Sequence, residues 1–237
     1  MKIKKCGGRV KVVNTISFYP IMGFPSTPRQ RRRYDWTLKD KSLEGDTVVV
    51  QANEPVREES SSVKGFIISE DRESFQQLAN RLHFVSAEIL DRCIKFGNGY
   101  YLLSKKMIPG FIRDFPDHLP GGYSPALKAC ILRQEALLNQ NLQFLPLILL
   151  GHAYDHAVGG GHFASQQSPL LQSLYLACKR RKRNHQFMSR YGESGPREYF
   201  AEGLAFYFSP DLQVKETLKR LDRMMFDYLE MLFKSLQ

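Results

Sequence analysis

GHAYDHAVGGGH, residues 151–162, decides how the rest of the chain is read. His152 and His156 stand four residues apart. On a helix that spacing puts both imidazoles on one face, where they can reach a single metal ion. The stretch before them, LQFLPLILL at 142–150, is apolar but too short to span a membrane, so it reads as buried structure leading into the histidines. A helix is therefore predicted over 143–158, ended by Gly159-Gly160-Gly161. Two histidines at this spacing occur by chance on many helices, so the pair needs support from elsewhere in the chain.

That support lies downstream, in YGESGPREYFAEGLAFYF from Tyr191. Pro196 suits the first turn of a helix. On that helix Glu198 and Glu202 share a face, among Tyr199, Phe200, Ala201, Leu204, Phe206 and Tyr207. A helix this apolar is buried, and buried carboxylates need partners. A metal and a histidine would be such partners, one carboxylate ligating and the other accepting a ring N–H. Zinc takes histidine nitrogen at about 2.0–2.1 Å, and a catalytic zinc has three protein ligands and a water. In the hydrolytic H-E-x-x-H helix, the glutamate after the first histidine takes the proton of the metal-bound water. Here that place is held by Ala153, which can take none.

Composition sets the frame. The chain has 237 residues and is 43% hydrophobic, enough for a real core. Its net charge is +10, which favours acidic partners without specifying a fold. Cys6, Cys93, Cys130 and Cys178 are scattered singly and read as reduced and structural. The start, MKIKKCGGRVKVVN, has no apolar run after its basic residues, so no signal peptide is expected, and localisation stays open. Residues 1–70 are uneven, with RQRRRYDW at 29–36, a strand-like TVVVQA at 47–52 and a polar EPVREESSS at 54–62. They read as an extension, partly β or flexible, and Arg31-Arg32-Arg33 as a solvated basic loop. From Glu70 the pattern turns helical, and the apolar spacing of Phe75, Leu78, Leu82, Val85, Ile89 and Ile94 predicts one broken helix or two short ones. GNGYYLLSKKMIPG at 97–110 reads as turn, strand, turn, and ALKACIL after GGYSP as another short strand. A helix is expected over 168–190, closing in the basic KRRKRNH at 179–185, and a last amphipathic one from about Val214 to the C-terminus. The basic run is read as the solvated end of a helix, and no nucleic-acid module accompanies it.

The segment from His152 to Phe208 resembles the catalytic core of the anthrax-lethal-factor-like zinc metalloproteases, which include the Pro-Pro endopeptidases. HAYDHAV, SRYG at 189–192 and EYFAE at 198–202 follow in the family's order and spacing, and GGYSPALKACIL resembles its edge strand. The resemblance implies an α+β, zincin-like fold over 71–237, mostly helical, with a small mixed sheet whose edge strand borders the cleft. It implies Zn2+ bound by His152, His156 and Glu198, Tyr191 donating to the oxyanion, and Glu202 orienting a ligand histidine. It implies an extended substrate paired with Lys128, Ala129, Cys130, Ile131 and Leu132. A peptide or protein is the expected partner, nucleic acid is not, and a monomer is expected. The departure is Ala153, which predicts little hydrolysis while metal and peptide binding persist. It reads as a glutamate-to-alanine change in an otherwise complete site, with a natural, non-cleaving pseudoprotease as the alternative. A second alternative is the metzincin pattern, in which Gly159 and His162 extend the motif and His162 is the third ligand. It leaves the EYFAE helix and the GGYSP strand unexplained.

Overall fold

The computed structural model describes residues 66–104, 112, 115–180 and 185–234, with the backbone of three short strands before them. Those strands are β1 (Thr15–Ser17), β2 (Tyr19–Pro20) and β3 (Asp35–Thr37). β1 and β3 pair antiparallel with each other. Most of residues 1–65, with Cys6, Arg31-Arg32-Arg33 and TVVVQA, lies outside the described residues, as do 181–184 of the basic run.

The chain then enters the main sheet with β4 (Ile67–Ile68). Two helices follow, α1 (Arg72–Leu82) and α2 (Ala87–Lys95). Asp71 starts the first by accepting the Ser74 N–H at 2.8 Å. Leu78, Leu82, Val85 and Ile89 are buried, as their spacing predicts, while Phe75 and Ile94 are half-buried and Leu90 and Cys93 join the core beside them. Next come β5 (Gly99–Leu103), β6 (Gly121–Ser124) and β7 (Ala129–Arg133). The sheet order is β2-β6-β7-β5-β4. β4, β5 and β7 run parallel, while β6 runs antiparallel to β7 and β2 antiparallel to β6. The sheet is thus small and mixed, on a mostly helical body.

After α3 (Gln134–Leu138) and a 3-10 turn at Gln140–Leu142 comes the central helix, α4 (Leu145–Val158). Every residue of α4 but the last is buried, so the apolar run before the histidines is core rather than membrane. It packs against β6, β7, α1 and α2 and against a later helix. Gly160 and Gly161 have φ of +62° and +108°, a turn that only glycine makes without strain, and it reverses the chain where the helix ends. Beyond it lie α5 (Ala164–Gln167), α6 (Pro169–Lys179), α7 (Arg190–Glu193) and α8 (Pro196–Tyr207). α8 packs along α4. The approach is close: a Cβ on Gly151 would stand 2.7 Å from the Cα of Ala201.

Two helical expectations are corrected. The helix expected over 168–190 ends at Lys179. The C-terminal helix is two, α9 (Leu212–Leu221) and α10 (Arg223–Lys234). The break falls at Asp222, 1% exposed, whose carboxylate accepts the Tyr199 hydroxyl, the Cys178 thiol at 3.2 Å and the Met225 N–H at 3.2 Å. Satisfying these inward donors takes Asp222 out of helical conformation and makes it the cap of α10. Cys93, Cys130 and Cys178 are buried free thiols. Among the described residues no helix is long and apolar enough to cross a membrane.

Candidate functional site

α4 delivers His152 and His156 to one face, and both are deeply buried, at 2% and 4% exposure. Each imidazole meets a tyrosine from a different element. Nε2 of His152 lies 2.5 Å from the Tyr191 hydroxyl, carried on the single turn α7. Nδ1 of His156 lies 2.8 Å from the hydroxyl of Tyr123 on β6. Tyr123 donates to Asn98 Oδ1 at 2.7 Å, and Asn98 Nδ2 donates to the Ala153 carbonyl at 3.1 Å. The hydroxyl's one proton thus goes to Asn98, and the chain is satisfied when Nδ1 of His156 carries the ring proton, leaving the lone pair on Nε2. This is how an outer hydrogen bond orients a metal-binding imidazole. The Phe163 ring packs against both imidazoles, with centroids 6.3 Å from His152 and 5.3 Å from His156.

Burial sets the protonation. It pushes His152 down to about 3, aided by the positive Arg197, and lowers His156 as well. Both rings are neutral at ordinary pH, the form that ligates metal. Burial, and next the Glu198 charge, pushes the Tyr191 hydroxyl far up, so it remains a proton donor.

Glu198 sits in the first turn of α8, and its Oε1 accepts from Arg197 Nη2 at 3.1 Å. The Arg197 guanidinium lies 4.6 Å over the Phe163 ring. The donor types here, two neutral imidazoles and a carboxylate, suit zinc. As they stand, though, no three His, Cys, Asp or Glu side chains among the described residues converge on one metal position. Tyr191 engages Nε2 of His152, and Glu198 is turned to Arg197. Ala153 is fully buried.

Several expected site residues have other partners or places. Glu202, 3% exposed, bonds the Ser189 hydroxyl and the Gly192 N–H rather than an imidazole. It braces the turn that carries Tyr191. His162 is exposed on the glycine turn, though near enough to His156 for its charge to help lower that ring. The proposed substrate strand is corrected: β7 lies between β6 and β5 with both edges hydrogen-bonded, so Ala129, Cys130, Ile131 and Leu132 have no free edge to offer. Lys128 precedes it in a left-handed turn, φ +50°, with Nζ donating to the Phe96 carbonyl at 3.2 Å. Sequence reading missed Tyr123, Asn98, Phe163 and Arg197. The only signal for Tyr123 was its place in GGYSP, and Asn98 looked like part of a turn.

No family model matches the sequence, and no curated protein does. Among solved structures, the chain is similar to the Pro-Pro endopeptidase PPEP-2 from Paenibacillus alvei, with a TM-score of 0.55. The two share a fold. The match covers 73% of this chain and 100% of that one at 15% identity. At that identity the likeness is one of architecture, and the chemistry has to be argued from this chain's own side chains.

Proposed function

We propose that this chain is a zincin-type metallopeptidase scaffold in which metal and peptide binding are retained and hydrolysis is lost at Ala153. The observation that carries the reading is the buried, neutral histidine pair on α4, each ring held by its own tyrosine. The likeness to an endopeptidase fold supports it. In this reading His152, His156 and Glu198 hold Zn2+, which requires Tyr191 to release Nε2 of His152 and Glu198 to leave Arg197. The bound metal would polarise a peptide carbonyl and its water. Tyr123 and Asn98 hold the His156 ring in place. Tyr191, always protonated, donates to the oxygen that becomes negative. Glu202 holds the Tyr191 turn. No carboxylate stands after His152 to take the proton.

The test is Ala153→Glu, assayed against a broad peptide library with zinc and with a chelator. A positioned general base contributes about 10²–10⁴-fold. Cleavage should rise by that order and vanish with the chelator. A variant that folds, binds zinc and cuts nothing contradicts the peptidase reading.

One observation favours a second reading, a pseudoprotease that binds peptide without cutting. Ala153 is fully buried, and its carbonyl is held by Asn98, so the site is packed around alanine. In that case Ala153→Glu lowers stability and leaves the protein inert.

A further inference from the structure

β6 is the strand of the main sheet that serves the histidine pair, through Tyr123. One of its edges is taken by β7. The other carries β2, in antiparallel register with Tyr19 opposite Tyr123 and Pro20 opposite Gly122. β2 is the outermost strand, and a proline is tolerated there because an outer strand need not offer every N–H. Pro20 has no N–H, so the hydrogen-bonded pair of this short ladder must be Tyr19 with Tyr123. The N-terminal part of the chain is therefore bonded to the backbone of the very residue whose side chain holds His156.

We propose that the Tyr19–Pro20 strand is an intramolecular occupant of the β6 edge, and that an extended peptide binding there must displace it. The identity of that peptide as a substrate rests on the peptidase reading above; the occupancy itself does not. An added strand binds through main-chain hydrogen bonds, so a chain segment and a separate peptide present the same groups to β6. A ladder of two residues, one of them proline, is weak. A covalently attached strand nonetheless competes well, because its binding is intramolecular. The N-terminal part of the chain would thus set the threshold for peptide docking, without touching the metal-binding side chains.

The test uses the full chain and a fluorescein-labelled synthetic peptide of residues 13–25, followed by fluorescence polarisation in the presence of a chelator. Tyr19→Pro removes the N–H that bonds Tyr123, while Tyr19→Ala keeps it. Tyr19→Pro should bind the peptide at least about tenfold more tightly than either the unaltered chain or Tyr19→Ala. Equal affinity in all three, equal gains in both variants, or no binding to any of them overturns the proposal. Hydrogen exchange gives an independent reading: amides of residues 121–124 should exchange faster in Tyr19→Pro and slow again when the peptide is added, and unchanged exchange also overturns it. Neither measurement needs zinc or cleavage, so a chain that fails as a metallopeptidase can still pass, and the reverse.

Discussion

Glu202 is a buried carboxylate, outside the proposed ligand set, whose surroundings shift its titration. Burial pushes it from 4.5 up to about 7, against the opposing pull of its bonds to Ser189 and Gly192. Its folded form binds a proton more tightly than the unfolded chain does. The stabilisation this gives is fully present below 4.5 and is lost as pH rises through about 7. Denaturant unfolding at pH 5 and pH 8 should show it: in Glu202→Gln the fall in stability between those pH values should shrink by about 2–3 kcal/mol. Tyr123 offers a second prediction at this scale. Tyr123→Phe strips a partner from both Asn98 and His156. Unfolding should cost about 1–3 kcal/mol less, and zinc affinity in a titration should drop about 10–100-fold. The spacing of His152 with His156, and of Glu198 with Glu202, carries helix geometry and so could be read in the sequence, whereas Tyr191, on the separate turn α7, was reached only through the family resemblance. Tyr123 and Asn98 were not, because their roles come from strand pairing and from contacts that span 25 and 33 residues.

The helices that frame the site are tied together by a close approach rather than by polar contacts. Gly151 lets α4 lie on Ala201 of α8, and so holds the two histidines at a fixed height against the glutamate helix. Gly151→Ala should force the helices apart and lower stability by about 1–3 kcal/mol, read as a shift of the thermal unfolding midpoint. The apolar run before His152 and the EYFAEGLAFYF segment were readable as buried helices, since apolar residues surround the few polar ones they carry. The division of the last helix at Asp222 was not, because local spacing continues smoothly through it and the cause is three donors brought from α6, α8 and α10. The strand after Lys128 was readable as a strand, but not as an interior one. Its neighbours on either side are set by chain crossovers, which periodicity does not encode.

At the scale of the fold, the histidine helix packs against the mixed sheet and against α8, and the chain shares its fold with a Pro-Pro endopeptidase. The net charge of +10 did not foretell any of this, since charge governs partners and not fold. Metal binding here requires His152, His156 and Glu198 to act together as one site. A zinc titration of the full chain, beside His152→Ala, Glu198→Gln and His162→Ala, tests that directly. The account predicts about one zinc per chain, lost in His152→Ala and Glu198→Gln and kept in His162→Ala. Zinc that survives Glu198→Gln but is lost in His162→Ala, or no zinc bound by the unaltered chain, would contradict it.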